Sequence, residues 1–200
     1  MTKRGESTRE KIARAALSVL IERGFKESTI SEIARKTRVN EITVFRHFGS
    51  KDRLFTEVIG KTIRSRFESL KLDFEPTEDI TRDLTEIGLS LAKYLIASAN
   101  LTRLIMLELD IIPRDLRNYT SNAMYIILTS LENYFVKAMG KGLISKIDPH
   151  LAAVAFYSFF YRIMLSYAFR QRDLLFRVDR VSVRRFVILF AYGIQKDEGT

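Results

Sequence analysis

Thr43, Arg46, His47 and Lys51 crowd four donor-bearing side chains into one short stretch of a 200-residue sequence. Their shared chemistry is hydrogen-bond donation. A hydroxyl, a guanidinium, a ring nitrogen and an ammonium suit phosphate oxygens and the acceptor edges of bases. The stretch is RVNEITVFRHFGSKDRLF, residues 38–55. Between Asn40 and Phe48 there is room for little more than two helical turns. Val44, Phe45 and Phe48 supply apolar contact, while Thr43, Arg46 and His47 can face outward. Asn40 can cap this helix and Ser50 the next. Lys51 then falls in a first helical turn, where unpaired N–H groups and the positive end of the dipole favour a phosphate.

So short a helix must be held by others, and helix punctuation dominates the chain. Ser7-Thr8-Arg9-Glu10 reads as a capping box before Ile12, Ala13, Ala16, Leu17, Leu20 and Ile21 at helical spacing. Gly24 stops that helix. Thr29-Ile30-Ser31-Glu32 reads as a second capping box. The fourth helix runs from Ser50 to about Leu70, and Pro76 with Thr77 opens a fifth. Asn100 is expected to interrupt the fifth, leaving a short sixth over about 101–109. A seventh begins near Pro113 and reaches about Met139, an eighth runs from Asp148-Pro149 to about Asp173, and a ninth spans about 181–194. No convincing strand and no internal repeat is present. The expectation is an all-α chain of about nine helices, with a three-helix unit over 6–66 and a larger helical domain over 67–200.

Residues 30–48 have the arithmetic of a helix-turn-helix. Ala34 is small where two helices approach, Val39 plugs the turn, and Val44 anchors the second helix to the first. In such a unit the second helix lies in the DNA major groove with its N-terminal residues facing base edges. The segments RAALSVLIERGF, STISEIARKTRV and NEITVFRHFGSKDRLF resemble the tetracycline-repressor (TetR) family of transcriptional regulators, in register over about residues 7 to 60. The resemblance implies DNA-binding roles for Thr29, Asn40, Glu41, Ile42, Thr43, Phe45, Arg46, His47 and Lys51. Asn40, Glu41 and Ile42 would set sequence preference, and Lys51 would hold phosphate. Thr43 would offer a hydroxyl to phosphate or a methyl to thymine, and Arg46 would meet either guanine or phosphate. His47 would either donate to phosphate or pack against the fourth helix. Two departures stand out: Phe45 replaces the family's usual tyrosine, and Arg38 occupies a turn position usually given to glycine. A left-handed Arg38 would cost about 1–2 kcal/mol relative to glycine.

The same resemblance implies that residues beyond about 67 form a dimerisation and ligand-binding domain, with no cofactor. The partners expected are double-stranded DNA, a second copy through helices eight and nine, and a small apolar or amphipathic effector that releases a palindromic operator. Tyr94, Leu104, Leu107, Tyr125, Phe156 and Phe160 are candidate pocket residues, with Arg162 as a polar anchor. RLIMLELDIIPRDL, 103–116, resembles AefR-like C-terminal domains of the family.

Composition bounds the alternatives. The net charge of +9 calls for an acidic partner. Residues 1–68 hold 16 Lys+Arg against 9 Asp+Glu, while 69–200 hold 17 against 15, so the excess sits at the front. With no cysteine, thiol catalysis, disulfides and zinc–thiolate sites are excluded. His47 and His150 form no Glu-x-x-His pair, and no Gly-rich phosphate loop or nucleophile elbow is present, so enzyme chemistry is not expected. The N-terminus lacks the apolar core of a secretory signal, which points to the cytoplasm. LAAVAFYSFFYRIMLSYAF, 151–169, is long enough for a membrane span, but Arg162 and the spread of Tyr157, Tyr161 and Tyr167 favour an interface helix. A sequence-nonspecific architectural DNA binder and a membrane-surface protein stand as rivals to a regulator.

Overall fold

A computed structural model describes residues 7–68, 70, 74–108, 110, 114–171 and 177–194, apart from the side chains of 114–117, 119 and 120. Eight helices and no strand occur among the described residues: α1 Thr8–Glu27, α2 Ile30–Thr37, α3 Glu41–Phe48, α4 Lys51–Glu68, α5 Ile80–Leu107, α6 Arg114–Gly140, α7 Pro149–Ala168 and α8 Arg180–Tyr192. The expected fifth and sixth helices are one. Asn100 does not break α5, because Ala99, Leu101, Leu104 and Ile105 are all buried around it. Burial of that stripe outweighs the ~0.7 kcal/mol by which asparagine disfavours a helix. Pro113, Leu109 and Asp173, expected near helix ends, lie outside the described residues.

The chain divides into two compact units, residues 1–65 with 101–120, and 66–100 with 121–200. In the first, Ile12, Ala16, Val19 and Leu20 of α1 are buried together with Ile33 and Ala34 of α2, Val44 of α3, and Leu54, Phe55 and Ile59 of α4. Caps fix where these helices start. The Ser7 hydroxyl and the Glu10 carboxylate form the full box at α1. At α2 only half the expected box forms. The Thr29 hydroxyl accepts from the Glu32 N–H at 3.2 Å, but the Glu32 carboxylate turns to Arg23 at 2.9 Å. The Asn40 side chain accepts from Ile42 N–H at 2.9 Å and starts α3.

The second unit is built around α5, α6, α7 and α8, with an aromatic centre. Phe156 and Phe160 of α7 are fully buried. Phe156 lies 5.8 Å from Phe186 and 5.2 Å from Phe190 on α8. Gly88 of α5 admits this packing, since a Cβ there would lie 2.6 Å from Cζ of Phe160. Helix α7 is the one described helix long and apolar enough to cross a membrane. Its apolar character is that of a core helix, with Ala153, Phe156, Phe160 and Met164 wholly enclosed. Asp148 caps it, accepting from His150 N–H and Leu151 N–H, ahead of Pro149 in the first turn.

Candidate nucleic-acid interface

Helix α3 divides sharply by face. Val44 and Phe48 are buried, whereas Ile42 is 74% exposed and Phe45 47% exposed. Asn40, Glu41 and Arg46 are exposed as well, and Thr43 and His47 half-buried. Residues 42, 45 and 46 share one face at i, i+3, i+4 spacing. No acceptor within the described protein engages the Arg46 guanidinium, and Ile42 has nothing apolar to cover it. A solvent-facing isoleucine beside a free guanidinium matches the needs of base-edge contact: methyl packing for thymine and paired donors for guanine.

The turn before α3 holds the strain foreseen for it. Arg38 adopts φ 57° and ψ 41°, a left-handed conformation, and its backbone N–H caps α2 by donating to Arg35 O at 3.2 Å. Val39 N–H donates to Ala34 O at 3.0 Å. These bonds set the angle between α2 and α3. Thr29 stays exposed at the start of α2.

Lys51 is seated rather than free. Its ammonium donates to the Lys26 carbonyl at 3.2 Å and lies 5.0 Å from the centroid of the Phe25 ring. An ammonium carries three protons, so donors remain for a phosphate at the α4 N-terminus. Ser50, whose hydroxyl accepts from Arg53 N–H at 3.1 Å, starts that helix.

One contributor escaped the sequence reading. Arg9 of α1 donates to the His47 carbonyl at the end of α3. It also grips both oxygens of Glu57 and lies 4.4 Å over the Phe48 ring. A cation on the last carbonyls of a helix satisfies groups left without partners there and opposes the dipole. Its partners are 38 and 48 residues away, so no local pattern could announce it.

The profile of "Bacterial regulatory proteins, tetR family" matches residues 12–58. The part of the chain that carries the helix-turn-helix is of the TetR type. Residues of this chain are 39% identical over 77 positions to the transcriptional regulator SrpR of Pseudomonas putida, covering 38% of this chain and 34% of that one. They are 35% identical over 85 positions to the repressor Rv3405c of Mycobacterium tuberculosis, covering 42% and 45%. The chain thus spans less than half the length of these two relatives. Over nearly the whole chain the fold is that of a candidate TetR-family regulator of Mesorhizobium loti, with a TM-score of 0.73, 24% identity and coverage of 94% and 97%. It is also that of the transcriptional regulator FadR of Bacillus subtilis in complex with stearoyl-CoA, with a TM-score of 0.67, 19% identity and coverage of 92% and 98%.

The residues expected around an effector are dispersed. Phe156 and Phe160 are in the aromatic core, and Leu104 is buried. Tyr94 is half-buried, edge-on to Phe67 at 6.2 Å, and burial pushes its hydroxyl pKa up. Tyr125 is 70% exposed and Leu107 63% exposed, so neither lines an enclosed cavity in this chain. Met124 and Ile126 beside Tyr125, and Met106 beside Leu107, are exposed as well. Arg162 is exposed too, donating to the Ser166 hydroxyl at 2.6 Å instead of pointing into a pocket. The AefR-like stretch lies partly outside the described residues.

Proposed function

We propose that this chain is a transcriptional regulator that binds a palindromic operator as a homodimer and is released by a small, largely apolar effector. The observation that carries it is the split character of α3, which buries Val44 and Phe48 while offering Ile42, Phe45 and Arg46 to solvent beside the seated Lys51. The front-loaded positive charge supplies the sequence-independent attraction to a duplex.

Dimerisation is supported by α8. Val181, Ile188, Leu189 and Tyr192 recur at helical spacing and are 61%, 42%, 77% and 82% exposed. An apolar stripe of that kind calls for a partner surface. Together with α7 it corresponds to the pair of helices expected to meet their twofold mates. An acyl-chain or aromatic effector is favoured by the Tyr94, Phe67 and Tyr157 side chains of the second unit, and by the stearoyl-CoA held by the Bacillus subtilis regulator of like fold. Tyr94, Phe156 and Phe160 are the second unit's contribution in this proposal.

Selection of bound sequences from random duplex DNA by the purified protein tests the proposal. Enrichment of an inverted repeat is expected. An unenriched pool retained with high affinity would favour the architectural binder, and no retention in dilute buffer would remove DNA binding altogether.

A further inference from the structure

The corner between α1 and α2 is held by a residue 83 positions away. The backbone leaves helical geometry at Gly24, with φ 82° and ψ 174°, and the Phe25 N–H then donates to Oε2 of Glu108 at 2.6 Å. Glu108 follows directly on α5, its own N–H donating to Leu104 O at 3.1 Å. It belongs to the same compact unit as the corner it grips. Glycine suits this corner because φ 82° is a conformation that other residues rarely adopt, and a Cβ at residue 24 would lie 2.5 Å from Oε1 of Glu108, which would have to move. The Ser28 hydroxyl donates back to the Gly24 carbonyl, tightening the same corner.

The two residues after Gly24 are the seat of Lys51. Phe25 places its ring 5.0 Å from the ammonium and 5.4 Å from the Phe55 ring, while Lys26 lends its carbonyl. Glu108 and Lys51 therefore act on one short backbone segment from opposite ends. We infer that Glu108 is a positioning residue for DNA binding: its carboxylate fixes the Gly24–Lys26 corner and so pre-sets the Lys51 ammonium that meets phosphate. The inference rests on the proposed DNA-binding function. A lysine held in place loses less conformational freedom on meeting its phosphate, and that saving appears as affinity.

The test is a double-mutant cycle on the full chain, with a random-sequence duplex in dilute buffer as the probe and salt as the variable. Glu108→Ala is expected to weaken binding about threefold to tenfold and to flatten the salt dependence toward that of Lys51→Ala. In a Lys51→Ala background the same change should cost less than about twofold, because its effect passes through the lysine. Glu108→Gln keeps an oxygen that accepts the Phe25 N–H and should stay within about twofold of wild type. A purely structural role would lower the unfolding midpoint and leave the folded protein's salt slope alone. Equal losses in both backgrounds, or an unchanged slope in Glu108→Ala, overturn the inference. If Glu108→Ala does not fold, Phe25→Leu removes the ring beneath the ammonium and must flatten the slope, a wild-type slope again overturning it. Wild-type protein that binds no duplex defeats the proposed function itself, a result distinct from either.

Discussion

Arg38 holds a left-handed conformation that glycine would adopt without strain, and the head of the molecule carries that cost on every copy. Arg38→Gly should raise the stability of the DNA-binding unit by up to about 1 kcal/mol, read as a higher denaturant midpoint with an unchanged slope. Lys51→Ala should weaken binding similarly on all sequences and lower the salt slope by about one. Arg46→Ala should instead cost about 1–3 kcal/mol on the selected site and much less on random DNA, measured by competition. Equal losses on both would make Arg46 a phosphate contact. Residues of this kind were legible because their signals are local: a cap, a first-turn lysine, a non-glycine in a turn. Arg9 and Glu108 were not, because their roles exist only once distant segments meet at the ends of α3 and α1. Glu32 shows the limit of a local pattern, since Arg23 took the carboxylate its capping box needed.

Among the elements, α3 is marginal alone and borrows its geometry from its neighbours. Eight residues are too few for a stable helix in water, so Val44, Phe48 and the Arg9 clamp on its last turn hold it. Arg9→Met keeps the packing on Phe48 and removes the bond to the His47 carbonyl. Its surface ion pair with Glu57 adds little stability, at most about 1 kcal/mol, so the expected effect is on DNA affinity more than on unfolding. Comparing affinity with denaturant midpoint in that variant checks this. In the second unit Gly88 sets the spacing of α5 against α7. Alanine there gains about 1 kcal/mol of helix propensity, but its Cβ meets a fully buried Phe160 ring that has nowhere to go. Overpacking of that kind costs about 1–3 kcal/mol, so Gly88→Ala should lower the unfolding midpoint. Helix existence was plain from periodicity throughout. Helix count was not, because the decision at Asn100 belongs to the buried stripe around it and not to the asparagine.

At the scale of the whole molecule, the front-loaded charge and the exposed α8 stripe are what support the proposed dimer with two heads on one duplex. Leu189→Asp places a charge in the centre of that stripe. It should yield monomers by sedimentation and lose preference for paired half-sites, while each head keeps its weak attraction to DNA. The apolar circumference of the α7 sequence is what raised self-association, and the exposed α8 stripe is what supports it as a proposal. A proposed effector site was harder to place, because core phenylalanines and pocket phenylalanines look alike along a chain, and Tyr125 and Leu107 face solvent. The central claim is that α3 reads base edges through Ile42 and Arg46. Its most direct test repeats the random-duplex selection with wild type, Ile42→Ala and Arg46→Ala. Each variant should lose base preference at its own position, mirrored in both half-sites, with the remaining consensus intact. A consensus identical in all three proteins would contradict the claim.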